Sequence, residues 1–532
     1  MNRTISLYDT TLRDGSQREG LSFSLADKLK ITEWLDRLGI DCIEGGWPGS
    51  NPKDQEYFER VADLRLAHAQ IAAFGSTRRA DTAVEDDPHL ATLLAANTPI
   101  VTIFGKSWQL HVREVLGTMP EENLRMIGDT VRFLREGGRR VIYDAEHFFD
   151  GYRDDAPYAL ETLHAAADAG AEVVVLCDTN GGTLPAQIGA TVAAVEQILA
   201  VPLGIHAHND IEMAVAGTIA AVEAGVLQVQ GTINGYGERC GNANLCSIIP
   251  TLQLKLGHRC IRNEQLSRLS ETAHAISELA NQRPDPHLAY VGSSAFAHKA
   301  GVHVNALRKQ AKTYQHIDPS RVGNRSRIVI SELAGRSNVV HKAEQFGLKL
   351  GCSDAASAVL SKIKELEGRG FQFEGAEGSV ELMIRRTDDA YRPPFELLDF
   401  HVLIRNGDDG TMAAEATIKV RVGEQTMHTA ADGNGPVNAL DAAMRKALLP
   451  AHPKLASVHL TDYKVRILDG KAGTAAQTRV LITSSDGTRS WSTVGCSDNI
   501  IEASWIALVD AFEYALCPAP APIPLSIKGQ RS

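Results

Sequence analysis

From residue 5 to about residue 256 the chain repeats one pattern, a short apolar run, a polar turn and a longer amphipathic stretch. The apolar runs predict strands at 5–8, 41–44, 70–74, 100–104, 140–143, 172–176, 203–206 and 228–232. Their starts lie roughly 25–40 residues apart, about the length of one βα unit. The first helix shows how the intervening stretches are built. Ser24 is placed to cap it, Asp27 sits in its first turn, and Gly39 stops it. Leu29, Ile31, Trp34, Leu35 and Leu38 supply its apolar residues, mostly on one face. Eight such units predict a (β/α)8 TIM barrel over 1–280, in the α/β class. A doubly wound open sheet is the alternative, but no predicted strand is followed by GxGxxG.

Beyond a helix predicted over 265–280, Arg283-Pro284-Asp285-Pro286 breaks the pattern and marks a domain boundary. Residues 281–390 read as small helical linker subdomains, and Tyr391-Arg392-Pro393-Pro394 reads as a stiff linker. From 395 to 517 the period changes to strict alternation. Ile418, Val420 and Val422 face one way while Lys419 and Arg421 face the other. This segment repeats: Ile418 and Ile482, Gly423 and Gly487, Thr429 and Thr493, and Ala439 and Ala503 share one interval of 64 positions. Two ββα copies follow, either a pseudo-symmetric sensor or dimerisation module or a plain structural cap. The proline-rich stretch 518–532 is expected to be a disordered tail.

At 532 residues the chain exceeds one ordinary core, so two or three domains are expected. A net charge of -11 with no Lys/Arg cluster excludes a phosphate-backbone footprint and hence a nucleic-acid partner. The aliphatic stretches are interrupted by Glu, Gln or Pro, which argues against a membrane span. The N-terminal residues show no signal-peptide pattern, and eight cysteines without CxxC pairs fit reduced thiols in a cytoplasmic setting.

A barrel demands that functional residues sit where strands run into their βα loops. Arg13-Asp14, Glu44-Gly45-Gly46, Glu146, Asp178-Thr179, His206-Ala207-His208 and Gly237-Glu238-Arg239-Cys240-Gly241-Asn242 all do. An Arg–Asp pair is by itself usually a surface salt bridge. His206 and His208, two apart on a strand, point to one face and can share a cation, although His-x-His is more often a hydrogen-bonded surface pair. Asp14 adds a carboxylate from the strand that closes against the eighth, and Asn242 an amide oxygen; a turn asparagine is its plainer reading. This nitrogen and oxygen set suits Mn2+, Mg2+, Co2+ or Zn2+ with two positions open. Those positions would let a 2-oxo acid chelate through its carboxylate and keto oxygens, with Arg13 where an oxyanion develops.

Asp9-Thr10-Thr11-Leu12-Arg13-Asp14-Gly15, His206-Ala207-His208-Asn209-Asp210 and Gly237-Glu238-Arg239-Cys240-Gly241-Asn242 together resemble the signatures of the 2-isopropylmalate, homocitrate and citramalate synthase family. The resemblance implies a metal-dependent barrel that condenses acetyl-CoA with a 2-oxo acid and then hydrolyses the thioester. Glu44-Gly45-Gly46-Trp47-Pro48-Gly49 and Phe104-Gly105-Lys106-Ser107-Trp108 look most like the citramalate branch, and Gln17-Arg18-Glu19-Gly20 replaces the Gln-Ser-Pro-Gly typical of isopropylmalate synthases. That branch uses pyruvate rather than 2-oxoisovalerate. The resemblance also implies Asp14, His206, His208 and Asn242 as metal ligands, Arg13 polarising the keto oxygen and Thr179 on the substrate carboxylate. It implies Glu146 as a catalytic glutamate, and His303 and Tyr314 as residues reaching the site from a partner subunit, with His298 a competing candidate. By the same resemblance, residues 395–517 bind an amino-acid effector, isoleucine or leucine, in a homodimer. A barrel lyase using a loop cysteine is one alternative; Cys240 lies near that place, though a buried thiol is its simpler account. A sensor with an inactive barrel is the other.

Overall fold

The structure is a computed structural model that describes residues 2–348, 350, 354–406 and 411–518; of the tail expected over 518–532, residues 519–532 lie outside the described residues. It divides into two compact units, one comprising the chain up to Phe296 with Ile317–Arg325, the other Ala297–His316 with the chain from Ser326 onward.

In the first unit, eight strands form a closed barrel in sequence order: β1 (Ser6–Asp9), β2 (Cys42–Gly46), β3 (Gln70–Ser76), β4 (Ile100–Lys106), β5 (Arg140–Glu146), β6 (Val173–Asp178), β7 (Leu203–Ala207) and β8 (Gln228–Gly231). Every neighbour is parallel, and β1 closes the ring against β8. Strands β3 to β6 run two or three residues past the apolar runs that mark them in the sequence. The polar residues Lys106, Glu146 and Asp178 are therefore held in the ladder rather than on loose loops. Inside the ring Tyr8, Cys42, Ala72, Ile100, Ile142, Val173, Val175 and Cys177 pack together. Outside it the helices bury a continuous aliphatic layer.

The first helix, Leu25–Leu38, carries the expected signals. Ser24 and Asp27 form a reciprocal capping box, and Gly39 ends the helix in a left-handed conformation. Its buried face includes Ile31, Thr32, Leu35 and Leu38. Where one helix is expected over 265–280, the structure has two, Asn263–Leu266 and Leu269–Leu279.

The second unit opens with a small parallel pair, β9 (Ala297–His298) and β10 (Arg327–Ile328), among the helices Gly301–Lys309, Arg336–Gln345, Ala355–Gly368 and Glu377–Arg385. Two three-stranded antiparallel sheets follow. β11 (Glu396–Asn406), β12 (Met412–Val422) and β13 (Gln425–Gly433) carry the helix Pro436–Leu448; β14 (His459–Ile467), β15 (Thr478–Ser485) and β16 (Ser490–Ser497) carry Ile500–Leu516. The repeat holds at the level of register, since Ile418 pairs with Thr429 as Ile482 pairs with Thr493. Each ββα copy gains a leading strand that the sequence pattern hides. β11 and β14 are edge strands, mostly exposed, and each carries a register shift near its start, between Leu397 and Asp399 and between Leu460 and Asp462. A bulge breaks the two-residue period that reveals a strand. The helical segment shares a core with the second sheet: Val339, Ile363, Phe371, Val380 and Ile384 cluster with Val494 and Cys496 of β16. Among the described residues no helix is long and apolar enough to cross a membrane.

Candidate active site and cation-binding cluster

Asp14 follows β1 at the start of the turn Gly15–Gln17, and its side chain is buried. His206 and His208 are buried beside it, on β7 and the residue just past it. Their Nε2 atoms lie 3.5 and 3.8 Å from Asp14 Oδ2 and 3.4 Å from each other. One ligand atom from each of the three residues falls within 4.8 Å of the others. The carboxylate and two imidazoles thus converge on one point. The Arg13–Asp14 pair, whose isolated reading is a surface salt bridge, is buried here instead.

Asn242 reaches the same strand from the loop after β8, where it bridges to His208. Its Nδ2 donates to the Tyr236 carbonyl at 3.2 Å, which turns Oδ1 the other way. Only glycine fits at 237, because a Cβ there would lie 2.1 Å from Asn242 Nδ2 on a backbone with φ +153°. Asp14 Oδ1 and Asn242 Oδ1 are buried acceptors without hydrogen-bond partners among the described residues. Buried oxygens left unmet beside converging imidazole nitrogens are what a small divalent cation satisfies, so the donor set fits a metal.

The electrostatics agree. Burial alone would raise the Asp14 carboxyl, but Arg13 and then His206 hold it well below the ordinary carboxylate range. Burial would lower His206, and Asp14 outweighs it and raises the imidazole. His208 is pushed down to about 4 by burial and then by His206, so it is neutral and free to ligate at neutral pH. Behind the cluster, His206 Nδ1 meets Gln230 Oε1 at 2.9 Å, and Gln230 Nε2 donates to Asp144 Oδ1 at 3.0 Å. This chain puts the His206 proton on Nδ1 and leaves Nε2 facing Asp14. Burial raises Asp144 to about 7.

Arg13 is held from three sides. Its Nε donates to Glu44 Oε2 at 2.6 Å and its Nη1 to Asp14 Oδ2 at 3.1 Å, and the guanidinium lies 3.8 Å over the Phe74 ring. Glu44, fully buried on β2, also accepts from the hydroxyls of Tyr8 and Thr10. Burial disfavours the Arg13 charge, but Glu44 outweighs it and raises the guanidinium.

Thr179 follows β6. Its Oγ1 accepts from the His147 N–H at 2.9 Å, and among the described residues its own proton has no hydrogen-bond acceptor. The Asp178 carbonyl accepts from His208 N at 3.2 Å, which ties β6 to the cluster. Glu146 is the last residue of β5 and forms an ion pair with Lys106, the last residue of β4. His303 and Tyr314 belong to the second unit, where their exposed rings stack with centroids 4.1 Å apart. His298 is half-buried there, its imidazole lowered by burial.

The barrel thus brings together Arg13, Asp14, His206, His208 and Asn242, with Thr179 just past the neighbouring β6 and Glu146 at the end of β5 beyond it, and His303 and Tyr314 form a separate pair. Cys240 is exposed, not the buried thiol expected from its type, because Glu238, Arg239 and Cys240 form the outward tip of the loop between Gly237 and Gly241. Four residues at the site carry no role in the sequence reading: Glu44, Lys106, Asp144 and Gln230. Their position at or near strand ends was the available signal, and for Glu44 and Lys106 the flanking motifs were visible.

The chain is similar to known proteins over most of its length. The HMGL-like family matches residues 4–276, the homocitrate synthase post-HMGL domain-like family residues 290–370, and the LeuA allosteric (dimerisation) domain residues 374–516. An (R)-citramalate synthase of Synechocystis sp. is 55% identical over 96% of this chain and 96% of its own length. One from Geobacter sulfurreducens is 52% identical over 96% of this chain and 97% of its own. A 2-isopropylmalate synthase of Methanocaldococcus jannaschii is 30% identical over 96% and 95%.

Proposed function

The chain belongs to the (R)-citramalate synthase family, and from that premise we propose that it condenses acetyl-CoA with pyruvate to give (R)-citramalate and CoA. The observation that carries the reading is the buried convergence of Asp14, His206 and His208 beside Arg13. With Asn242 these residues would hold one divalent cation, Mn2+, Mg2+, Co2+ or Zn2+. When bound, such a cation supplies Lewis acidity to the carbonyl of a 2-oxo acid.

The chain's own groups do the rest. Arg13, kept charged by Glu44, faces the keto oxygen and stabilises the charge that develops on it. The free Thr179 hydroxyl proton donates to the substrate carboxylate. Glu146 takes a proton from the acetyl methyl group. His303 and Tyr314 serve a partner subunit's site in a homodimer. The aromatic rings of Trp47, Phe74 and Phe104 stand together beside Arg13, which supports the small methyl of pyruvate over a branched acceptor. We assign catalysis to residues 1–280, linkage to 281–390 and regulation to 395–517, with isoleucine or leucine as effector and the cytoplasm as the working compartment.

Release of free CoA from acetyl-CoA tests this reading, with pyruvate, 2-oxobutyrate, 2-oxoisovalerate and 2-oxoglutarate each supplied with and without chelator. Chelator-sensitive release with pyruvate foremost is expected. Preference for 2-oxoisovalerate would move the acceptor to that of an isopropylmalate synthase.

A further inference from the structure

We propose that Lys106 is a catalytic residue, its ammonium donating a hydrogen bond to the thioester oxygen of acetyl-CoA while its partner Glu146 takes the methyl proton. This rests on the condensation reading above and adds to it the group that carries the enolate charge.

The barrel register pairs Lys106 with Glu146 at the last rung of β4 and β5. Both backbones are fixed there. Asn123 Nδ2 donates to the Lys106 carbonyl at 2.8 Å, and Ser107 N donates to the Glu146 carbonyl at 3.1 Å. The two side chains form an ion pair, and they are 13% and 24% exposed. An ammonium carries three donors. Among the described residues Glu146 is the only acceptor that Lys106 Nζ is hydrogen-bonded to, and a ring face, Phe104 at 5.2 Å, covers another side. Donor capacity therefore remains on a mostly buried lysine side chain next to a carboxylate. A simple structural ion pair would satisfy the cation more fully or leave it in water.

A second observation places this pair relative to the acceptor. Phe74 and Phe104 stack with centroids 5.5 Å apart; Arg13 lies over Phe74 and Lys106 over Phe104. One aromatic shelf thus carries a cation at each end. The reaction has two oxygens that gain charge, the keto oxygen of the acceptor and the thioester oxygen of the donor, and Arg13 addresses the first.

The step balances. Glu146 removes a methyl proton; the C–H electron pair forms the carbon–carbon π bond, and the thioester carbonyl pair moves to oxygen, where Lys106 donates. The enolate carbon then attacks the keto carbon, the thioester carbonyl re-forms, and the keto π electrons move to the oxygen facing Arg13. The proton held by Glu146 passes to this alkoxide, giving the tertiary alcohol. Thioester hydrolysis follows separately.

The test compares full-length wild type with Lys106→Met, Lys106→Gln and Lys106→Arg, using metal-loaded protein of unchanged melting temperature. The assay is CoA release from acetyl-CoA or methyl-deuterated acetyl-CoA. The expected result is a kcat loss of roughly 10²–10³-fold in Lys106→Met and Lys106→Gln, with pyruvate KM nearly unchanged. A larger deuterium isotope effect should accompany the loss, and Lys106→Arg should recover part of the rate. Gln can still hydrogen-bond to Glu146, so a Gln variant as active as wild type overturns the proposal. Loss confined to pyruvate KM, or lower kcat without a larger isotope effect, overturns it as well. If wild type itself releases no CoA with any 2-oxo acid, it is the condensation reading that fails.

Discussion

Glu44 shows what a single side chain does here. It is fully buried, and its carboxylate takes hydrogen bonds from Tyr8, Thr10 and Arg13 at once. Removing it in Glu44→Ala strands a buried guanidinium and two hydroxyls, a loss of roughly 3–5 kcal/mol in urea unfolding; a loss within about 1 kcal/mol would show that Arg13 does not depend on it. Asp144 makes the pH-dependent counterpart. Its folded value of about 7 stands above the ordinary aspartate value of roughly 3.9, so the neutral acid is what the fold prefers. Its stabilising contribution is complete below about pH 4, where both states are protonated, and is lost as pH rises through 7. Asp144→Asn keeps an acceptor for Gln230 and removes this loss. In chelator, the variant is expected to gain roughly 2–4 kcal/mol on the parent between pH 4 and 8. Parallel stability curves across that range would contradict the assignment.

At the scale of elements, the barrel was legible because its apolar runs recur at the spacing of βα units and helices such as the first carry their own end signals. Ser24 and Gly39 bound the first helix in the sequence and do so in the structure. Ser24→Ala is expected to cost about 1 kcal/mol. Gly39→Ala should cost more, about 1–3 kcal/mol, since φ is +93° and a Cβ would meet the Gln265 amide at 2.5 Å. Thermal melts of the two variants give the order directly, and a larger shift for Ser24→Ala would reverse this account. β11 and β14 were not legible. A half-exposed edge strand with a bulge has no clean alternation, so the repeat showed only its two regular strands. The ligand set could be read from strand ends, whereas the roles of Glu44, Lys106, Asp144 and Gln230 could not. Their roles arise from partners on other strands, and linear order gives the order of the strands but not which side chains meet across them.

For the whole molecule, the Pro393-Pro394 stretch looks like a clean cut in the sequence, yet the core does not stop there. Val494 and Cys496 of β16 complete the cluster built by Val339, Ile363 and Ile384. A chain ending at residue 394 should therefore expose that cluster, bind a hydrophobic dye and melt earlier, besides losing any response to isoleucine or leucine. Dye binding equal to the full chain would show that the helical segment closes its core alone. The proposed reaction depends on one cation held by two imidazoles, a carboxylate and an amide. The most direct test is anomalous diffraction from crystals of the full chain loaded with Mn2+. One peak is predicted, bonded to Asp14, to Nε2 of His206 and His208 and to Asn242 Oδ1 at roughly 2.0–2.3 Å. A peak elsewhere, or none at saturating Mn2+, would contradict it.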